Sequence, residues 1–412
     1  MTRSTPPLKA GTPESDGSAA PEAPHACGSG RRRIHRRFVH PVAAFSTVTI
    51  IALCVMLVTG LSGCASLGKK PSAKLRKTFL TSPHYDAGRG VFINLPEPVL
   101  DSFWAANRAR FRAGVDVSHN GAAPDFALPV IKPDLAAFTA RDSGLQIIWL
   151  GHSSLLLRMD SATILLDPVF GRASPLSFYE SPRFQPPPFR REETPHVDVI
   201  IISHEHYDHL EYATVKYFAK RNTTFIVPLG ISSHLLHWGV KPERIIVRDW
   251  WDSVTVKGVE FIATPALHSS GRLKRGSNLT QWASWVLRTG THAVYFSGDT
   301  GYGSHFRMIG ERFGPFDVVF LETGQYSRAW RSHLQPHHWP VAMKELRSGN
   351  WFPIHWGVFS FAPHDWDDPI VAADSLARNH GLNLLTPRMG EPIDVDALPA
   401  FTSWWVKERP DE

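Results

Sequence analysis

The sequence predicts an α/β fold, and three observations carry that prediction. From about residue 145 to residue 395, short apolar runs rich in β-branched residues alternate with amphipathic stretches of helical period, so that strand, helix and strand repeat. Histidine and aspartate recur where the apolar runs end. A chain of 412 residues that is 43% hydrophobic and 20% charged also has the composition of a globular protein with a sizeable core.

The amino terminus stands apart. Residues 1–30 are rich in Pro, Gly, Ala and Ser and are expected to be disordered; Arg31, Arg32, Arg33, Arg36 and Arg37 then precede a mainly apolar run over 42–61. That run ends in Leu61-Ser62-Gly63-Cys64, which resembles a bacterial lipobox, so residues 1–63 are expected to be a lipoprotein-type export signal and Cys64 the lipidated new terminus. An uncleaved transmembrane helix is the alternative. With the arginines on the cytoplasmic side, both readings put the remaining chain outside the cytoplasm, anchored to a membrane and facing the periplasm or the cell exterior. The three cysteines, Cys27, Cys54 and Cys64, all lie in or before this segment, so a metal in the remaining domain must be held by His, Asp or Glu. Residues 1–63 also carry a net +4 of the chain's +6, which removes the basic balance as an argument for nucleic acid binding.

Residues 64–81, with Lys69, Lys70, Lys74, Arg76 and Lys77, read as a solvated tether, 82–144 as an irregular arm containing a helix near 101–113, and 396–412 as a tail. Strands are expected over 146–150, 155–158 and 162–167, with Gly151-His152-Ser153-Ser154 turning the first into the second. Asp167, at a strand end, is expected to brace a metal loop without coordinating. The Pro-, Arg- and Phe-rich stretch 172–191 is a long loop that either walls a substrate site or packs across a sheet.

The chemistry concentrates in Ser203-His204-Glu205-His206-Tyr207-Asp208-His209-Leu210, which follows the strand-like Val197-Asp198-Val199-Ile200-Ile201-Ile202. His204 and His206 can face one way while Asp208 and His209 turn toward a second point about 3.5–4 Å away, the usual separation of paired metals. Later strands end at His268, at Asp299 in Ser297-Gly298-Asp299-Thr300-Gly301, where Gly298 permits a turn, and at His355.

These residues resemble the metallo-β-lactamase superfamily, and within it the branch of N-acylphosphatidylethanolamine-hydrolysing phospholipase D and its bacterial relatives. The likeness runs from about residue 82 to 392 and rests on Leu150-Gly151-His152, Leu166-Asp167-Pro168, the 202–210 stretch, Asp249-Trp250-Trp251, Thr264-Pro265 with His268, Gly298-Asp299-Thr300-Gly301-Tyr302, Phe313-Gly314-Pro315-Phe316-Asp317 and Ile354-His355-Trp356-Gly357. It implies an αββα four-layer sandwich with the metal site at one edge. It also implies two zinc ions: His204, His206 and His268 on one, Asp208, His209 and His355 on the other, and Asp299 bridging. Manganese or iron also suits such ligands. Zinc lowers the pKa of bound water from about 15.7 towards about 7, which makes a nucleophile at neutral pH. Asp208, Asp299 and His333 are the implied catalytic set, and His152, His333 and Tyr326 the candidates for substrate contact. Glu322 departs from the mammalian enzymes, which have an apolar residue there, and His337-His338, expected to be solvated, stands where an acidic pair is common.

The expected function is hydrolysis of a phosphodiester, foremost a phospholipid headgroup bond of the N-acylphosphatidylethanolamine type, by a membrane-anchored enzyme. A lactonase or a phosphodiesterase acting on a small metabolite would use the same metal site, and a non-catalytic envelope lipoprotein is the third reading. The preferred lipid and the oligomeric state are not encoded in these motifs.

Overall fold

The computed structural model describes residues 65–96, 121–174, 183–272, 277–327 and 330–406. Cys64, the 42–61 run and the expected helix near 101–113 lie outside them. Among the described residues no helix is long and apolar enough to cross a membrane.

The first full helix among the described residues is α1 (Ala73–Thr78), capped by the Ser72 hydroxyl, and a ribbon of β1 (Tyr85–Asp86) and β2 (Val91–Phe92) follows. After α2 (Leu135–Thr139) comes a meander of β3 (Leu145–Gly151), β4 (Ser154–Met159) and β5 (Ala162–Leu166). Three parallel strands extend it: β6 (Val199–Ile201), β7 (Thr224–Pro228) after α3 (Tyr212–Phe218), and β8 (Ile245–Arg248) after α4 (Ser232–His237). The second sheet repeats this plan. Antiparallel β9 (Ser253–Val256), β10 (Val259–Thr264), β11 (Ser284–Arg288) and β12 (Ala293–Phe296) lead into parallel β13 (Val318–Glu322), β14 (Asn350–Ile354) and β15 (Asn383–Leu384). The helices α5 (His305–Phe313), α6 (Trp339–Glu345) and α7 (Asp368–His380) make its crossovers, and β16 (Pro392–Asp394) returns to pair with β3. Two seven-stranded mixed sheets result, ordered β16-β3-β4-β5-β6-β7-β8 and β15-β14-β13-β12-β11-β10-β9.

The continuous apolar runs are explained by burial on both faces. In the first sheet Ile147, Trp149, Leu155, Leu157, Ile164, Leu166, Val199 and Ile201 share a core with Phe261, Trp285, Leu287 and Phe296 of the second. The alternate residues Ile148, Leu150, Leu156, Leu165, Ile200 and Ile202 form a second core with Val215 and Phe218 of α3 and Leu235 of α4. Each such side chain stabilises the fold by about 1.5–3 kcal/mol. On the second sheet's outer face Tyr295 lies 6.3 Å from Phe306 of α5, and Trp351 lies 5.6 Å from Trp339 of α6. The layers are those of the αββα sandwich.

Three stretches differ from the sequence reading. The expected tether is packed: Ser66 and Phe79 are buried, and Phe79 meets Tyr85 and Phe92 at 5.5 and 5.1 Å. The expected tail returns to the core, where Trp404 stacks on Trp356 at 5.6 Å, Trp356 stacks on Trp149 at 5.1 Å, and Trp405 is buried. In the 172–191 loop residues 175–182, including Phe178 and Tyr179, are outside the described residues. Its described arginines are engaged: Arg183 donates to the carbonyls of Gln185, Val169 and Leu150, and Arg191 pairs with Glu211.

Candidate metal centre

Every candidate ligand, and with them His152 and the bracing Asp167, lies just beyond the carboxyl end of a strand. His152 follows β3, Asp167 follows β5, His204 to His209 follow β6, His268 follows β10, Asp299 follows β12 and His355 follows β14. The carboxyl ends of open sheets are where α/β folds place their sites. The turns that aim these side chains are tight: His152, Asp167 and His355 have φ of 54°, 39° and 69°, a region that non-glycine residues occupy at a cost. At Gly298, with φ of 54°, a Cβ would lie 2.6 Å from the Ser203 Cβ, so glycine lets Asp299 come up against the loop.

The donor atoms converge on two points. Around the first, His204 Nε2 and His268 Nε2 lie 2.9 and 3.2 Å from His206 Nδ1, and 3.7 and 3.8 Å from Asp299 Oδ2. Around the second, His209 Nε2 lies 3.3 Å from Asp208 Oδ2 and 3.0 Å from Asp299 Oδ1, and His355 Nε2 lies 3.5 and 3.1 Å from the same two oxygens. A tetrahedral metal with bonds of about 2.0–2.1 Å needs ligand atoms about 3.3 Å apart. Asp299 therefore turns one oxygen to each set.

Two tests favour metal ions. The first is orphaned polarity: His209 Nε2, His355 Nε2 and Asp299 Oδ1 are buried without a hydrogen-bond partner among the described residues, although they lie about one ligand–ligand separation apart. The second is the far side of each imidazole. His204 Nδ1 meets the Ser203 hydroxyl at 2.9 Å, His209 Nδ1 meets Asp167 Oδ2 at 2.7 Å, His268 Nδ1 meets the Ser332 carbonyl at 3.0 Å and His355 Nδ1 meets the Gly324 carbonyl at 3.3 Å. Pinning Nδ1 in this way aims each Nε2 at the shared points, where a metal would take the place of a proton. The sites also attract positive charge. Burial would push the Asp299 and Asp208 carboxyls up, but His209 and its neighbours hold both well below the usual carboxylate range. Burial would likewise lower His355, yet the Asp299 and Asp208 carboxylates raise it to about 10. The opposite case is His204 and His268: burial drives both well below the ordinary imidazole value, which keeps them neutral as ligands must be.

Asp167 is wholly buried and accepts from the Ser203 amide at 2.7 Å, the Ser203 hydroxyl and His209. His152 is also buried and reaches Asp208 Oδ2 at 3.0 Å, and burial lowers its pKa to about 3. A cavity of about 260 Å³ opens over the two points, lined by His206, Asp208, Asp299 and His355 and by Gln325, Trp330, Ser332, His333 and Phe361. His333 Nδ1 hydrogen-bonds the buried Glu322 carboxylate, which also accepts from the Thr300 amide at 2.8 Å and lies 3.4 Å from His355 Nδ1.

A model described as a β-lactamase superfamily domain matches residues 162–356. An uncharacterized protein of Mycobacterium tuberculosis is 34% identical over 364 residues, covering 86% of this chain and 96% of its own. The chain belongs to the metallo-β-lactamase superfamily. It is accordingly a metal-dependent hydrolase. It is also similar to the N-acyl-phosphatidylethanolamine-hydrolyzing phospholipase D 1 of Caenorhabditis elegans, 32% identical over 232 residues that cover 53% of this chain and 65% of that enzyme. Among solved structures, a metallo hydrolase of Ignicoccus hospitalis is 21% identical, covers 60% of this chain and 97% of its own, and has a TM-score of 0.47.

Set on this superfamily fold, two candidates for substrate contact sit elsewhere than expected. His152 lies beneath the cavity, and Tyr326 faces a neighbouring one of about 610 Å³ with His337 and Pro363. Gln325, with φ of 59°, turns the chain so that it lines the metal cavity and Tyr326 does not. His338 is half-buried and stacked on Tyr302 at 4.9 Å, whereas His337 is exposed as expected. Gln325, Trp330 and Phe361 escaped sequence reasoning, because single polar or aromatic residues in loops carry no spacing signal.

Proposed function

We propose that this hydrolase cleaves a phosphodiester, with a phospholipid headgroup bond of the N-acylphosphatidylethanolamine type as the preferred substrate and two zinc ions as the metals. The observation that carries the reading is the division of Asp299, whose two oxygens face two separate sets of imidazole and carboxylate donors about one bridging carboxylate apart. Bound there, two ions would activate water and neutralise charge that develops on phosphoryl oxygens. His204, His206 and His268 would hold one, Asp208, His209 and His355 the other. Glu322 fixes the His333 ring through Nδ1, leaving the Nε2 lone pair to take up the proton that hydrolysis releases and pass it to the departing alcohol. Trp330 and Phe361 give the cavity an apolar rim suited to a lipid. The similarity to the Caenorhabditis elegans phospholipase D supports the lipid substrate.

Export and lipidation at Cys64 belong to the same proposal. Intact-mass analysis of membrane-purified protein should find an acylated Cys64 as the first residue; a retained 1–63 segment would refute cleavage. For the activity, the zinc-loaded protein is assayed against N-acylphosphatidylethanolamine, a generic phosphodiester and a lactone. Release of N-acylethanolamine is the expected result. Turnover of the lactone alone would overturn the phosphodiester reading, and two bound metals without turnover would favour an accessory lipoprotein. Metal analysis of protein from its native source decides between zinc, manganese and iron.

A further inference from the structure

Residues 65–69 lie against the back of the 203–210 loop. Trp238 Nε1 donates to the Ala65 carbonyl at 2.8 Å, Arg272 donates through Nη2 to Ser66 O at 3.0 Å and through Nε to Leu67 O at 3.3 Å, and the Lys69 amide donates to His234 Nδ1 at 3.0 Å. The Ser233 hydroxyl donates to the Lys69 carbonyl at 2.7 Å. Two of these partners hold the metal loop with their other atoms. Arg272 Nη1 donates to the carbonyls of Glu205 and Leu210 at 2.7 and 2.8 Å, the two ends of the stretch that carries His206, Asp208 and His209. His234 Nε2 lies 2.6 Å from Glu205 Oε2. The guanidinium is further sandwiched 4.0 Å from the Tyr207 ring and 5.1 Å from Trp238, and the Tyr207 hydroxyl donates to the Arg272 carbonyl.

The side chains that hold the segment are buried: Arg272, His234, Glu205 and Trp238 are 8%, 3%, 4% and 1% exposed. A buried guanidinium needs acceptors for its donors, and four backbone carbonyls supply them, two from the amino-terminal segment and two from the loop. Without the segment, half of that set is lost and the cation must move toward water, taking the loop carbonyls with it. We propose that residues 65–69 are a strap that positions the metal loop through Arg272 and His234, so that metal binds at full affinity only when the strap is seated. The inference rests on the reading of residues 204–209 as metal ligands. It also changes what an anchor at Cys64 would mean, because a chain held there would enter the domain directly at its metal loop.

Gly68 offers a clean test. Its φ is 82°, and a Cβ there would lie 2.1 Å from His234 Nδ1, whereas Gly258, with φ of 80° in the β9–β10 turn, would meet nothing within 4 Å. In the full chain, Gly68→Ala and Gly258→Ala suffer the same backbone strain, but only the first unseats the strap. Zinc affinity, from competition with a chromophoric chelator, should weaken tenfold or more in Gly68→Ala, the range typical of lost support behind a ligand, and stay within about twofold in Gly258→Ala. Hydrogen exchange of the 203–210 amides in metal-free protein should rise in the first variant alone. Trp238→Phe, which keeps an aromatic ring but removes the donor to Ala65, should weaken zinc several-fold and replaces Gly68→Ala if that variant does not fold. Unchanged zinc affinity together with unchanged loop exchange overturns the strap. Faster exchange in a chain that binds no zinc even unsubstituted upholds the strap and refutes the metal reading.

Discussion

Asp167→Asn tests the support of the second metal position most sharply. The carboxylate accepts three hydrogen bonds, from the Ser203 amide, the Ser203 hydroxyl and His209 Nδ1, the last at 2.7 Å. An asparagine of the same size has one accepting oxygen, and its amide group must face a donor. The Ser203 hydroxyl can rotate away. His209 cannot, because its Nε2 is committed to the point shared with Asp208 and Asp299. The loss therefore falls on the charge-assisted bond to His209, worth about 1.5–3 kcal/mol. At about 1.4 kcal/mol per decade this is roughly a tenfold to hundredfold loss of affinity at one metal position, with a smaller loss at the other, which Asp167 reaches only through the Ser203 hydroxyl on His204 Nδ1. Chelator competition should then resolve one strongly and one little weakened step. Two unchanged steps would refute the argument that Asp167 acts through His209, and equal weakening of both would show that the carboxylate shapes the whole loop.

Four further outcomes are expected. Asp299→Ala should leave less than one tightly held metal per chain by elemental analysis and abolish nearly all turnover, because both donor sets lose an oxygen; retained activity would refute the bridge. Glu322→Gln should keep both metals yet lower kcat about tenfold, since an amide facing His333 Nδ1 forces the other tautomer, and its pH–rate profile should change shape. His305 is lowered to about 3 by burial, so below the ordinary value of 6.5 the unfolded chain takes a proton that the folded one refuses. Stability should thus fall as pH drops from about 6.5 to about 3, and urea titrations of His305→Gln should show a slope shallower by about 1.4 kcal/mol per pH unit. Trp404→Ala, which removes a stacked ring and the 2.9 Å bond to the Thr386 carbonyl, should cost about 2–3 kcal/mol in urea unfolding; a cost near zero would return residues 396–406 to the status of a tail.

The fold was legible because burial on both faces writes itself as uninterrupted apolar runs, and Leu145–Gly151 through Val199–Ile201 could be nothing but interior strands. The candidate ligands were legible for a related reason: His and Asp immediately after such runs occupy the carboxyl ends of strands. What the spacing of 204–209 could not contain is closure, the fact that His268, Asp299 and His355 arrive at the same two points from the other sheet. Tyr326 shows the limit at single-residue scale. One left-handed residue, Gln325, exchanged which of two neighbours faces the metals, and nothing in the pair of side chains announces that turn.

The amino-terminal segment fails for a deeper reason. Lys69, Lys70, Lys74, Arg76 and Lys77 read as solvated because side-chain character is what a sequence displays, but the segment is held through its backbone: the carbonyls of Ala65, Ser66, Leu67 and Lys69 and the amide of Lys69 make the contacts. Lysine side chains can remain in water while their main chain is an interior ligand. The partner side is no more legible, because in the sequence Arg272 stands beside Lys274 and Arg275 and nothing sets it apart from them. A buried arginine is recognised only by its acceptors, and here two of the four belong to a segment some two hundred residues away in sequence.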